Sequence, residues 1–192
     1  MDLKNKEDVE AIVEGCKKND RQYQHLLYKL SYSKMLNVCM RYGKDIDEAK
    51  DMLQEGYLRV YGNIASYNYS GSFEGWLTRV FVNSNISQIN KKKIKFTENE
   101  DYVINNIIEE EEQVADNFLG SINESTISPD KLVELIQELS PNYRCVFNLY
   151  YIEDLSHKEI AEKLNISVGT SKSNLARAKV NLKNLFLSKY KN

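Results

Sequence analysis

The chain has 192 residues, of which 42% are hydrophobic and 28% charged, and its formal net charge is −2. This length suits one or two small domains with packed cores. The three cysteines, Cys16, Cys39 and Cys145, are far apart and form no CxxC pair, which argues against a zinc pattern and a disulfide framework. No apolar run approaches a membrane span, and the charged N-terminus argues against a signal peptide, so we expect a cytoplasmic protein without membrane insertion.

The small net charge conceals a strong segregation along the chain. Residues 96–127 contain nine acidic and no basic residues, whereas the segment from Ser167 to the end contains six basic and no acidic residues. The local distribution therefore leaves nucleic-acid binding open, although the net charge alone argues against it.

The first half of the sequence predicts four helices and no sustained strand. A first helix spans 5–19, and a second begins near Asp20. Asp45 and Glu48 predict a capping box before the third, and Ser72 begins the fourth. We expect the following residues inside: Leu26, Leu27, Leu30, Met35, Leu36 and Cys39; Ala49, Met52, Leu53, Tyr57, Val60, Tyr61 and Ile64; Phe73, Trp76, Leu77 and Val80. We expect Arg79, Asn83 and Asn85 on the outer side of the fourth helix.

The second half predicts further helices after an acidic segment at 96–127. Ser128-Pro129 and Ser140-Pro141 each predict a capping serine before a proline at a first helical position. Ser156 and Glu159 form a capping box, and Asn165-Ile166-Ser167 interrupts the pattern before a long last helix. The apolar stripe of that helix is Leu175, Ala178, Leu182 and Leu185, and its expected exposed face is Lys172, Ser173, Asn174, Arg177 and Lys179.

A short helix, a tight turn and a longer basic helix form the layout of a helix-turn-helix, whose second helix enters the major groove of DNA. A helix pair in any small bundle with a solvated basic face has the same spacing, so spacing alone leaves both interpretations open.

Two blocks of this sequence resemble the sigma-70 family of bacterial RNA polymerase specificity subunits, and most closely its extracytoplasmic-function (ECF) class. The C-terminal block carries the match in Glu159-Ile160-Ala161, Leu164, Ile166-Ser167, Val168-Gly169-Thr170, Lys172-Ser173 and Ala176-Arg177-Ala178-Lys179. The N-terminal block carries it in Arg41-Tyr42, Asp47-Glu48-Ala49, Asp51-Met52-Leu53-Gln54-Glu55, Leu58-Arg59, Phe73, Trp76-Leu77-Thr78-Arg79 and Asn83. The resemblance implies an all-α fold of two small helical domains, 1–95 and 128–192, joined by an acidic linker at 96–127.

The resemblance also implies three sets of site residues. Those expected to bind the upstream (−35) promoter element are Thr170, Lys172, Ser173, Asn174, Ala176, Arg177 and Lys179. Those expected to bind and open the −10 element are Tyr67, Tyr69, Arg79, Asn83, Lys91, Lys92 and Lys93. Those expected to bind the largest polymerase subunit are Asp51, Gln54 and Glu55.

Two departures from the family pattern concern the second helix of the helix-turn-helix. Ser171 stands where the family often has valine, and Asn174 stands where it often has arginine, which leaves open which bases are read. Each of the other two sites has a simpler interpretation. From spacing alone, the polar residues of the third helix, Asp51, Gln54 and Glu55, form only its solvent-exposed side. Tyr67 and Tyr69 also fit a purely structural role in which they pack onto the domain.

The resulting interpretation is an alternative sigma factor that binds core RNA polymerase and promoter DNA and is restrained by an anti-sigma factor. No catalytic, metal or cofactor motif is present in the sequence, so we expect neither an enzyme nor a cofactor; His25 and His157 are isolated and receive no role. Two alternatives stay open: a helix-turn-helix regulator that acts without polymerase, and a sigma mimic that sequesters an anti-sigma factor.

Overall fold

A computed structural model describes residues 1–93, 114, 115, 117 and 127–190. Within these residues the fold is all-α, as predicted, with eight α-helices and one short 3₁₀ helix. The α-helices are α1 (Lys6–Lys17), α2 (Arg21–Met40), α3 (Ile46–Asn63), α4 (Phe73–Lys93), α5 (Pro129–Glu138), α6 (Pro141–Tyr151), α7 (His157–Leu164) and α8 (Val168–Tyr190), and the 3₁₀ helix is Ile64–Ser66.

Chain contacts divide the protein into two compact units, Met1–Gln88 and Ile89–Asn192. The predicted acidic linker at 96–127 falls almost wholly outside the described residues, so its role as a linker stays a prediction. Each unit is considered by itself below.

Most of the predicted helix starts carry the expected side-chain caps. Ser128 and Ser140 are exceptions: both occupy N-cap positions before a proline, but neither side chain forms a capping hydrogen bond. The Ser156 hydroxyl accepts from the Glu159 amide, and the Glu159 carboxylate accepts in return from the Ser156 amide, which confirms that capping box. At α3 the arrangement is shifted by one residue. The Asp45 carboxylate accepts from the Glu48 amide at 2.8 Å, but the Glu48 carboxylate reaches past Asp45 to the amide of Lys44.

The core of the first unit is formed where α3 meets α2 and α4. Tyr57 on α3 is buried, and its hydroxyl lies 2.8 Å from the Ser31 hydroxyl on α2. Gly56 lies against the ring of Phe81 on α4, where a Cβ atom would come within 2.2 Å of a ring carbon. A glycine is therefore needed for this close approach of the two helices.

Two side chains of the first unit lie on the opposite side from the one expected. Leu30 was expected inside, but it is 37% exposed, and Ser31 takes the buried position. Asn85 was expected outside, but it is fully buried and its amide donates to the Cys39 sulfur at 3.8 Å. Polar residues can occupy a core when a partner satisfies them, and a pattern of apolar residues does not reveal such partners.

The core of the second unit is organised around α8, which packs against α5, α6 and α7. A buried arginine completes this core. The Arg144 side chain on α6 donates to the carbonyl oxygens of Ile136, Gln137 and Leu139 at 3.3, 2.6 and 2.8 Å. Carbonyls at a helix C-terminus lack partners within their helix, so this cation satisfies the end of α5.

Candidate nucleic-acid interface

The second unit contains a helix-turn-helix built from α7 and α8. The chain leaves α7 through Asn165, whose φ of 53° lies in the left-handed region that asparagine tolerates. Ser167 then begins α8, because its hydroxyl accepts from the Thr170 amide at 2.9 Å. The predicted break and the predicted cap are both confirmed.

The two helices are joined by polar as well as apolar contacts. Ile160, Ala161 and Leu164 of α7 are buried. His157 Nδ1 lies 2.9 Å from Ser171 Oγ, and the imidazole stacks on the Tyr150 ring with a centroid distance of 5.0 Å. His157 had no role in the sequence interpretation, because its partner Ser171 lies 14 residues away.

The seven residues expected to read the upstream element differ in accessibility. Lys172 is exposed, and Thr170, Ser173 and Arg177 are half-buried. The other three are buried, with exposed fractions of 6% for Asn174, 3% for Ala176 and 7% for Lys179. The accessible set therefore lies at Thr170, Lys172, Ser173 and Arg177.

Helix geometry explains two of the three buried positions. Lys179 follows Leu175 by four residues and precedes Leu182 by three, so it shares the stripe that faces the core. Asn174 lies three residues after the fully buried Ser171. The prediction that Asn174 and Lys179 lie on an exposed face is therefore wrong, whereas DNA binding by each of the seven residues stays a prediction.

The first unit gathers its aromatic residues around the loop between Ile64–Ser66 and α4. The ring of Tyr67 lies 4.9 Å from Tyr69, 5.0 Å from Phe73 and 5.5 Å from Trp76 between centroids. The Tyr67 hydroxyl donates to the Gly71 carbonyl at 3.1 Å, and Gly71 has a φ of 84° that only glycine adopts without strain. Tyr67 is buried, so it supports the loop, and Tyr69 is the more exposed of the two tyrosines.

The remaining residues expected at the −10 element lie along α4. Arg79 and Asn83 are exposed and four residues apart, which places them on one side of the helix. Trp76 precedes Arg79 by three residues and contacts Tyr67, so it links this side of α4 to the aromatic loop. Lys91 is exposed near the end of α4, whereas the side chains of Lys92 and Lys93 lie outside the described part of the structure.

The predicted polymerase-binding face lies on the outer side of α3. Asp51 and Gln54 are exposed, and half-buried Glu55 forms an ion pair with Arg59 at 3.2 Å. Leu58 lies three residues beyond Glu55 on the same side and is 68% exposed. Leu58 belongs to the segment that resembles the family but not to the predicted face, and its exposure places it beside that face on the surface of α3.

Burial favours the protonated form of two of the thiols, Cys16 and Cys39. Burial raises the pKa of Cys16 to about 11 and that of Cys39 to about 12. Among the described residues no cluster of His, Cys, Asp and Glu could hold a metal ion. In the same residues no helix is both long enough and apolar enough to span a membrane.

The described residues thus form a helical protein of two units, one with a helix-turn-helix and accessible basic residues and the other with a cluster of aromatic residues. Residues 130–182 match the family model "Sigma-70, region 4", and residues 27–94 match "Sigma-70 region 2".

Two curated relatives align with most of the chain. The ECF RNA polymerase sigma factor SigW of Bacillus subtilis (strain 168) is 31% identical over 182 residues, which cover 89% of this chain and 92% of SigW. SigM of the same organism, also an ECF sigma factor, is 30% identical over 168 residues, which cover 83% of this chain and 93% of SigM. The chain therefore belongs to the ECF class of the sigma-70 family, the alternative sigma factors that direct transcription initiation.

A more distant solved structure is that of the sigma factor RpoE from Bartonella quintana in complex with the anti-sigma factor NepR. It has a TM-score of 0.47 and 17% identity, with 86% of this chain and 97% of that chain covered.

Proposed function

We propose that this protein binds core RNA polymerase through α3, recognises the −35 element with α8 and opens the −10 element with the aromatic loop and α4. The observation that carries the proposal is that both sigma-70 regions occur in one chain in the family order. On this proposal it is a non-enzymatic initiation factor that acts in the cytoplasm.

The polymerase contact is proposed at Asp51, Gln54 and Glu55, extended by Leu58. These residues lie on the outer side of α3, and the residues of its inner side, including Met52 and Leu53, are buried in the core. On this proposal the polymerase covers Leu58, and the burial of its side chain adds to the contacts of the three polar residues.

The upstream contact is proposed at the accessible start of α8. Lys172 and Arg177 supply positive charge and hydrogen-bond donors, and Thr170 and Ser173 lie close to them on the same helix. Such side chains donate to guanine edges and to phosphates in the major groove. Asn174, Ala176 and Lys179 require a local rearrangement to reach DNA, because each is buried in the structure.

The downstream contact is proposed at Tyr67, Tyr69, Arg79 and Asn83, with Lys91, Lys92 and Lys93 on backbone phosphates. Unstacked bases are held by aromatic faces, and the clustered rings of the loop supply them. We also expect an anti-sigma factor as a partner, since members of this class are commonly restrained in that way.

The deciding experiment is co-purification with core RNA polymerase followed by run-off transcription from a bipartite promoter. We expect a stable complex and a transcript that depends on this chain. Tight promoter binding by the chain alone, as a dimer and without polymerase, indicates an ordinary helix-turn-helix regulator instead. Binding to an anti-sigma factor without any transcript indicates a mimic.

A further inference from the structure

Tyr69 in the aromatic loop has a backbone conformation that its residue type disfavours. Its φ is 61°, in the left-handed region, where a tyrosine is uncommon. Such a conformation persists only where the surroundings hold it in place. The contacts of Tyr69 therefore determine whether the loop keeps its shape.

The N-terminal side of the loop is open rather than closely packed. A cleft of about 320 Å³ separates the loop from the segment before α1, and its lining includes Leu3, Val9 and Tyr69. The Tyr69 ring contacts Tyr67 at a centroid distance of 4.9 Å, but Tyr69 is still 37% exposed. Apolar packing alone therefore does not enclose this residue, and polar contacts gain importance.

Helix α1 supplies the polar contacts of Tyr69. The Tyr69 hydroxyl donates to Glu14 Oε1 at 3.3 Å, and Lys17 Nζ lies 5.6 Å from the centroid of the ring, within the range of a cation–π contact. Lys17 donates to the same Glu14 oxygen at 2.8 Å. This hydrogen bond lowers the pKa of Glu14 and raises that of Lys17, so both groups are charged at neutral pH. Tyr69 is thus held at its hydroxyl and at its ring.

The helix that carries this pair is itself anchored in the first unit. Ile12, Val13 and Cys16 of α1 are buried, and α1 packs against α2 and contacts the 3₁₀ helix that precedes the loop. Glu14 and Lys17 lie three residues apart on one side of α1, and their side chains are 53% and 28% exposed. Ion pairs this exposed contribute little to the stability of a fold. The pair can therefore act on the loop without being required for folding.

Glu14 and Lys17 also lie before residues 27–94, which match the region 2 model. We propose that Glu14 and Lys17 are positioning residues that hold Tyr69, and through it the aromatic loop, in the conformation used for promoter opening. This inference rests on the proposed function of the loop and adds to it a role for α1.

The physical basis is the population of the competent loop conformation. Without its partners on α1, Tyr69 leaves the disfavoured left-handed region, and the loop is distributed over several conformations. The apparent affinity for the opened strand then falls in proportion to the fraction of molecules that remain competent. Binding to polymerase, which is proposed on α3, does not depend on this fraction.

The test uses the full chain in holoenzyme reconstituted with core polymerase. The variants are Glu14→Ala, Lys17→Ala and Lys17→Arg, and Lys18→Ala is the matched control at the exposed lysine next in the chain. Glu14→Ala is also combined with Tyr69→Ala. Promoter opening is followed by permanganate reactivity, polymerase binding by titration, and stability by urea unfolding with the fluorescence of Trp76.

We expect Glu14→Ala and Lys17→Ala to slow promoter opening about threefold to tenfold, the factor for the loss of one ordinary hydrogen bond. Lys17→Arg should open promoters as wild type does, because a guanidinium group also pairs with a carboxylate and stacks on an aromatic ring. Lys18→Ala should match wild type. In the Tyr69→Ala chain, Glu14→Ala should cause no further loss, because effects that pass through one contact are not additive.

Polymerase affinity and the unfolding midpoint should stay at wild-type values in all the variants of α1. Wild-type opening by Glu14→Ala and Lys17→Ala overturns the inference, and so does an equal further loss in the Tyr69→Ala chain. A slower opening that accompanies a lower unfolding midpoint also overturns it, because the pair then acts on the fold as a whole. A wild-type chain that forms no active holoenzyme overturns the proposed function instead.

Discussion

The Nδ1 atom of His157 lies 2.9 Å from the hydroxyl oxygen of Ser171, and this contact joins the first residue of α7 to the start of α8. Ser171 is fully buried. Because Ser171 is buried, its replacement of the valine that is common in the family affects the contact between α7 and α8 and not the surface that we propose to face DNA.

Ser171→Ala should lower the free energy of unfolding of the second unit by about 1 kcal/mol, the usual net value of one hydrogen bond. The preference for bases of the upstream element should not change. The chain has a single tryptophan, Trp76, which lies in the first unit. Urea unfolding is therefore followed by tryptophan fluorescence for the first unit and by helical circular dichroism for both. A changed base preference contradicts the internal role of Ser171.

Arg144→Ala should destabilise the second unit by about 2–4 kcal/mol, because each buried carbonyl left without a donor costs about 1–3 kcal/mol. The stability of Arg144→Lys should lie between that of Arg144→Ala and that of wild type. One ammonium group cannot reproduce the contacts that the guanidinium group makes with three carbonyls. The transition seen by circular dichroism should move, while that of Trp76 fluorescence stays in place. Movement of both transitions by the same amount speaks against a local role.

Glu55→Lys and Leu58→Lys should each weaken binding to core polymerase at least tenfold, or about 1.4 kcal/mol, without unfolding the chain. The Glu55–Arg59 ion pair is partly exposed, and such pairs contribute only about 0–1 kcal/mol to stability. Leu58 is 68% exposed, so its replacement leaves no cavity. The measurement is the affinity for core polymerase by fluorescence titration.

The matched controls for these two variants are Glu7→Lys on α1 and Leu30→Lys on α2. Glu7 is exposed, and Leu30 is 37% exposed. Both control proteins should bind core polymerase as wild type does. If Glu55→Lys and Leu58→Lys bind as tightly as their controls, α3 is not the polymerase-binding face.

Asn83→Ala should impair promoter opening more than formation of the closed complex, by roughly 0.5–1.5 kcal/mol, the usual net value of one hydrogen bond. Asn83 is exposed on the side of α4 that Trp76 links to the aromatic loop. Footprinting of the duplex should stay near wild type, while permanganate reactivity of the −10 element falls. An equal loss in both assays contradicts a role in base capture.

Arg177→Ala should relax the base preference at the upstream element by about 1–3 kcal/mol, because an arginine that reads a base edge carries sequence information. Lys183→Ala, a half-buried lysine further along α8, is the matched control and should leave the preference unchanged. The measurement is the affinity of holoenzyme with each variant, Arg177→Ala or Lys183→Ala, for a set of promoters that differ by single bases. A uniform loss across all promoters for Arg177→Ala assigns it to a phosphate.

The sequence by itself determined the helices, their starts and the family. Ser156, Ser167 and Ser72 cap the helices that they were expected to cap, because a cap depends on residues two or three positions away. Most residues of the predicted apolar stripe of α3 are buried as expected. Helical periodicity alone specifies which positions lie on the same side of a helix.

Only the tertiary structure decided which polar residues are buried. Arg144, Asn85 and Ser171 are buried because their partners are brought to them from other elements, at separations from 5 to 46 residues. The same holds for Tyr69, which is fixed by Glu14, 55 residues earlier in the chain. Burial of a polar group is stable only when a partner compensates for the lost water, and that partner is supplied by the packing of distant elements rather than by a local pattern.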